Sequence, residues 1–230
     1  MHPYGRRNTD KEMGQMKQPA LRIRREEKAD EQAVETLIRR AFWNLYIPGC
    51  VEHYVAHVIR SHPDFVPELD LVLEADGQII GSIMYTHNRL TDEDGNEKPI
   101  LTFGPVSIAP EYQRQGYGKK LIEHSFHIAL DMDYDGIVIF GNPSNYVSRG
   151  FKSSKKYNVC LEGGIFPSAM MVKELKLGAL DGRMWVYNES PAYTFNEQEA
   201  LRFDEGFEPM EKKYLPCQEE FYIHSHSIIR

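Results

Sequence analysis

The stretch Leu101–Leu130 constrains this chain more than any other. A β-prone run from Leu101 to Ile108 leads through Ala109-Pro110-Glu111-Tyr112 into Gln113-Arg114-Gln115-Gly116-Tyr117-Gly118. From Lys119 to Leu130 apolar residues recur at helical spacing. Leu121, Ser125 and Ile128 form one i, i+4, i+7 row, and Ile122, Phe126 and Ala129 form a second beside it. The segment predicts strand, glycine-punctuated loop, helix.

That order has an electrostatic consequence. The first turn of a helix carries backbone N–H groups without intrahelical partners, and the aligned peptide dipoles make that end partly positive. Glycine at 116 and 118 lets a ligand approach the backbone closely. Arg114, Lys119 and Lys120 add positive charge, so the loop reads as a site for a phosphate or pyrophosphate. Two other phosphate motifs are absent. There is neither the G-x-x-x-x-G-K-[ST] of a P-loop nor the G-x-G-x-x-G of a dinucleotide turn.

The 230 residues are enough for one large domain or a domain with an appendage. With 41% apolar and 27% charged residues the composition is globular. A net charge of −7 argues against general nucleic-acid binding and suits a cationic amine. Cys50, Cys160 and Cys217 are odd in number and far apart, which predicts reduced thiols in a cytoplasmic protein, with neither disulfide nor metal. Residues Met1–Gln18 are polar and read as a flexible tail, neither a signal peptide nor a membrane span.

Along the chain, Ala20–Arg24 alternates like a strand, and Asp30 is placed to cap a helix to about Phe42 with Ala33, Val34, Leu37, Ile38 and Ala41 on one face. A second helix follows Pro48-Gly49 and ends before Pro63. Leu69–Ala75 and Gln78–Asn88 flank Asp76-Gly77 as a hairpin. Gly136–Phe140 suits a buried strand, parallel to the Leu101 strand. Asn145–Arg149 can hold a brief helix, and further strands fit Tyr157–Leu161 and Ala169–Lys176. Beyond Gly178 the chain is rich in aromatics and acids, without a linker-like run before it.

Gln113-Arg114-Gln115-Gly116-Tyr117-Gly118 resembles the Q/R-x-x-G-x-G/A signature of the GNAT superfamily of acyl-CoA N-acyltransferases. Gly104–Tyr112 resembles the strand and loop that enter it. The segment Gly141–Phe151 resembles a second family feature, a tyrosine four residues before Gly-Phe, here Tyr146 before Gly150-Phe151. The resemblance spans about Leu21 to Leu175 and implies a mixed-sheet α/β (α+β) fold. It divides the chain into a tail over 1–18, a GNAT domain over 19–177 and a C-terminal extension over 178–230 packed on the core.

The resemblance also implies chemistry. Acetyl-CoA is the expected acyl donor, held by the backbone of Val106, Ser107 and Ile108, by the loop Arg114, Gln115, Gly116, Tyr117, Gly118 and Lys119, and by Asn142. Related sequences often carry an acidic residue where Asn142 stands and an aromatic one where Asn145 stands. Tyr146 is the expected general acid for the leaving thiolate, and a backbone N–H near Val106 polarises the thioester carbonyl. His87 is the candidate base; His53, His57 and the His224-x-His226 pair are weaker readings as satisfied or surface histidines. The acceptor is an amine of unspecified identity, the expected mechanism is direct attack in a ternary complex, and a homodimer is the assembly suggested by analogy. Two other readings stay open: a GNAT-fold protein that binds acyl-CoA without turnover, and a transferase of longer acyl chains.

Overall fold

The computed structural model describes residues 19–230, so the Met1–Gln18 tail lies outside the described residues. In chain order the elements are β1 (Leu21–Arg25), α1 (Glu31–Phe42), α2 (Glu52–Ile59), β2 (Leu71–Ala75), β3 (Gln78–Asp92) and β4 (Glu97–Ile108). Then come α3 (Tyr117–Asp131), β5 (Gly136–Phe140), α4 (Pro143–Tyr146), β6 (Lys152–Ser153), β7 (Val159–Cys160) and β8 (Met170–Glu174). The chain finishes with β9 (Trp185–Asn188), α5 (Glu197–Asp204) and α6 (Pro216–His226). The strands join in one mixed sheet of order β1-β2-β3-β4-β5-β8-β6, with β9 pairing both β3 and β7.

The Asp76-Gly77 turn links β2 to β3 with φ of 50° and 82°, the left-handed pair that a tight hairpin requires and that aspartate and glycine tolerate. The long β3 serves as a spine. One edge pairs β4 from Gly81↔Ile108 to Thr91↔Glu97, while the other pairs β2 and then β9. One face of the sheet is covered by α3, whose Leu121, Ile122, Phe126 and Ala129 pack with Leu73, Tyr85, Leu101 and Ile137. Ser125, on the same helix row, is fully buried and hydrogen-bonded to the Tyr85 hydroxyl at 2.7 Å. On the opposite face α1 and α2 bury Val34, Ile38, Ala56 and Ile59 against Val72 and Met84. Each such aliphatic side chain contributes about 1.5–3 kcal/mol through burial.

Two details of α1 differ from the periodicity reading. Ala33 is exposed, while Glu35 and Arg39 are buried, because the helix is also covered by α2 and by the C-terminal segment. Glu35 receives Arg60 at 2.8 Å, and Arg39 reaches Asp204 at 2.6 Å. Asp30 precedes α1 but does not cap it. Its carboxylate instead accepts from Arg24 at 2.5 Å and from the Glu27 backbone N–H at 2.8 Å.

The residues beyond Gly178 enter the sheet itself. Asp92↔Trp185 through Arg89↔Asn188 extend β3, and the Tyr187 hydroxyl bonds Thr102 at 2.8 Å and Asn88 at 3.2 Å. Among the described residues no helix is long and apolar enough to cross a membrane.

Candidate active site

Two backbone features open the sheet at one place. Parallel β4 and β5 pair only at Leu101↔Ile137, so β4 runs on to Ile108 without a neighbour on that side. Within β4 one extra residue is accommodated between Phe103, opposite Tyr85, and Val106, opposite Ile83. Such a bulge bends a strand and disrupts the local ladder, and here it contains Pro105, which has no N–H to contribute. The unpaired β4 edge can therefore receive an extended ligand as another strand would bind.

At the end of that edge the chain turns into α3. Arg114 has φ of 61° and Gly116 has φ of 87°; the glycine caps the helix in the left-handed region that side chains disfavour. The first helical bond to Gly116 comes from the Lys120 N–H at 3.1 Å, which leaves Tyr117, Gly118 and Lys119 as the open first turn. Gly118 is different: it sits inside the helix, and a Cβ there would meet Ile108 Cγ1 at an ordinary 3.5 Å. Its value lies in close approach rather than in backbone freedom. The Gln115 amide donates to the Glu111 carbonyl at 3.1 Å and so braces the loop. The loop thus presents open backbone N–H groups, with Arg114 and Lys119 around them.

The remaining expected cofactor residues divide by face. Val106 and Ile108 are half-buried along the open edge, whereas Ser107 is buried with its hydroxyl 2.8 Å from that of Ser82. Only the Ser107 backbone remains for a ligand. Asn142 caps α4, its side-chain oxygen accepting from the Ser144 N–H at 3.0 Å. That cap fixes the turn which presents Tyr146.

Tyr146 lies at the end of α4 beside the bulge, its ring 5.8 Å from that of Phe103 and 5.9 Å from that of Phe151. Gly141 makes this possible: a Cβ there would stand 2.8 Å from Tyr146 Cε2. Burial raises the Tyr146 pKa to about 12, with the Arg149 charge opposing, so the phenol carries its proton at neutral pH.

Tyr146 opens into a cavity of about 280 Å³. Phe103, Gly104, Pro105 and Val106 of the bulge form one wall, and Phe42, Tyr46, Glu52 and Val55 of the α1–α2 region face them. Tyr193 and Phe195 close the cavity from the C-terminal segment. The Tyr193 hydroxyl lies 3.4 Å from the Gly104 carbonyl and 3.3 Å from Thr86 Oγ1, which ties that segment to the bulge. Glu52, Tyr193 and Phe195 stand in no local motif, so the sequence alone carries no signal for them as site residues.

His87 is not brought to this cavity. It stands opposite Leu101 in the β3–β4 ladder, bonds the Tyr134 hydroxyl at 2.5 Å and lines a separate cleft with Asp64 and Ser190. The structure therefore corrects its reading as the base: the side chain is directed to another cleft. His53 is fully buried, 3.2 Å from Asp204, and His57 bonds Glu35 at 3.0 Å. Among the described residues no three His, Cys, Asp or Glu side chains gather as a metal site, and the three cysteines are free thiols.

A splayed parallel pair, a strand bulge and a helix N-terminus at one opening define an acyl-CoA N-acyltransferase fold. Comparison with known proteins agrees. The model of the Acetyltransferase (GNAT) family matches residues 37–152, half of the chain, and the protein belongs to that family. A GNAT family N-acetyltransferase (YhbS) from Escherichia coli, solved in complex with CoA, superposes with a TM-score of 0.65 at 22% identity over 77% of this chain and 93% of that one. A GNAT family acetyltransferase from Brucella melitensis, solved with acetyl-CoA, gives 0.60 at 22% identity over 76% and 98% of the two chains. In sequence, N-acetyltransferase 8B of Mus musculus is 24% identical over 127 residues, 53% of each chain. The match thus spans about half the length of that relative.

Proposed function

We propose that this protein is an acetyl-CoA-dependent N-acetyltransferase that acts by direct transfer to an amine in a ternary complex. The observation that carries the reading is the opening of β4 from β5 directly beside Tyr146 and its cavity. Bound acetyl-CoA supplies the activated acetyl thioester. The backbone of Val106 and Ile108 holds the pantetheine arm along the open edge, and the first turn of α3 with Arg114 and Lys119 holds the pyrophosphate.

In this reading a backbone N–H at the bulge, near Val106, faces the thioester carbonyl as an oxyanion donor. Tyr146 holds a proton in reach of the leaving sulfur. The raised pKa keeps the phenol protonated, so it can donate a hydrogen bond to the sulfur as negative charge develops there and the bond breaks. The C-terminal segment belongs functionally with this site, because Tyr193 and Phe195 complete the cavity. Acyl-CoA binding without turnover is the competing reading, and the proton-bearing Tyr146 beside the opening favours the enzyme.

Thiol release from acetyl-CoA, measured with a mixed library of primary amines, tests the proposal. Amine-dependent release, lowered about a hundredfold in Tyr146→Phe while acetyl-CoA still binds, is the expected result. Binding of acetyl-CoA with no release for any amine would favour the sensor reading.

A further inference from the structure

The cavity beside Tyr146 is lined by aromatic rings and one carboxylate, and that composition selects an acceptor. Glu52 is the only lining residue with a formal charge at neutral pH. It opens α2, and its Oε2 accepts the Val51 N–H at 3.0 Å. The cations nearby in sequence are engaged elsewhere: Arg39 with Asp204 and Arg60 with Glu35. The groups that feel the Glu52 charge are Tyr46 and Cys50, both neutral, and Tyr46 is also within reach of Tyr146. The carboxylate is held by backbone N–H groups at the start of α2 and has no side-chain cation beside it, so an incoming ammonium group is a favourable partner.

The rings add a second constraint. Tyr46, Phe140, Tyr193 and Phe195 offer faces that accept an apolar or aromatic body and that also attract an ammonium group. A polyamine or an aminosugar would bring several charges to a site with one carboxylate. At about 280 Å³ the space is at the small end of ligand pockets.

We propose that the acceptor is a small primary amine with an apolar or aromatic body, bound as its ammonium ion against Glu52, and that Glu52 removes the proton which blocks attack. This rests on the acetyl-transfer reading above. Glu52 takes one proton from the ammonium, and the freed nitrogen lone pair forms the bond to the acetyl carbon. The carbon–sulfur bond breaks with its electron pair going to sulfur, which takes the phenolic proton of Tyr146. A second proton leaves nitrogen as the amide forms and restores the phenol, while Glu52 releases its own to water. The products are the acetylated amine, the free thiol of CoA and one proton. Burial raises the Glu52 pKa, with backbone hydrogen bonds opposing, and so makes the carboxylate more basic than a solvated one.

The test begins with calorimetric binding of acetyl-CoA to the full chain, then compares acetylation of 2-phenylethylamine and tryptamine with that of spermidine and glycinamide. The aromatic amines should exceed the others in kcat/KM by at least about tenfold, the scale of hydrophobic-pocket discrimination. Glu52→Gln, close to isosteric, should lower kcat/KM for 2-phenylethylamine about a hundredfold and remove the acidic limb of the pH–rate profile. Acetyl-CoA affinity should stay within about twofold, since uniform donor binding is untouched. Glu52→Asp should retain the acidic limb with reduced turnover. Preference for spermidine or glycinamide, or an unchanged pH profile in Glu52→Gln, would overturn the inference. Failure to bind acetyl-CoA, or binding with no acetylation of any amine, would instead overturn the transferase reading beneath it.

Discussion

Residues 104–119 form the open strand edge and the helix N-terminus from one continuous run, whereas the cavity beside Tyr146 is assembled from four separated segments around residues 42–55, 103–106, 140–146 and 193–195. The first half works through backbone groups: a helix N-terminus and an unpaired strand edge. The second works through side chains, chiefly rings and one carboxylate. A ligand part shared by all members of a fold can be recognised by backbone geometry, while a part that varies must be recognised by side chains. Under the proposed function the donor side is accordingly generic and the acceptor side particular to this protein.

The sharpest way to break that contrast is to damage each half separately. Gly118→Glu should reduce acetyl-CoA affinity more than a hundredfold, roughly 3 kcal/mol or more, by placing a carboxylate among N–H groups aimed at an anion. The fold should survive, because the new Cβ makes only an ordinary contact with Ile108. Calorimetry with circular dichroism reads both effects, and unchanged affinity would remove the loop from the donor site.

Arg39→Ala should act on the other half. Arg39 joins Asp204, the Glu208 carbonyl at 2.9 Å and the Trp43 ring at 4.3 Å, and so fastens the C-terminal segment to α1. Losing one partner of such a buried pair costs about 3 kcal/mol, visible as a lower midpoint in urea. The amine KM should rise while the acetyl-CoA Kd holds; equal damage to both would show that the two halves are not separable.

Tyr193→Phe is a finer probe. It removes a hydroxyl that meets Gly104 and Thr86, and about 1 kcal/mol of stability should go with it. Thermal unfolding of the two proteins measures that difference, and an identical Tm would mean that the hydroxyl does not brace the bulge.

A further probe is the pH dependence of stability. Burial lowers the His53 pKa from 6.5 to about 4, and the Asp204 charge only partly opposes it. The unfolded chain therefore binds the extra proton first as pH falls. Stability from this group is complete above 6.5 and is lost progressively toward 4. Urea titrations across that range should show the slope, and His53→Leu should flatten it.

Much of the first half was legible because its signals are local. Gly116, the helical rows of α3 and the apolar run Gly136–Phe140 each state their structure within a few residues. The tyrosine at 146 was legible through its spacing to Gly150-Phe151. The second half was not, for physical reasons. Glu52 looks like an ordinary first-turn carboxylate, and only the packing of α2 against the bulge gives it aromatic neighbours. Trp185–Asn188 is too short for alternation to mark it as a strand, yet β3 extends far enough to pair with it. His87 is of a residue type that often serves as a base, but its strand register turns it to another cleft.

The central claim is that the opening between β4 and β5 with the α3 N-terminus binds acetyl-CoA. Calorimetric titration of the purified chain with acetyl-CoA, CoA and ATP tests it most directly. Saturable binding of acetyl-CoA and CoA, with ATP at least about tenfold weaker because it lacks the pantetheine that pairs with β4, is the result expected. Absence of acetyl-CoA binding, or equal affinity for ATP, would contradict it.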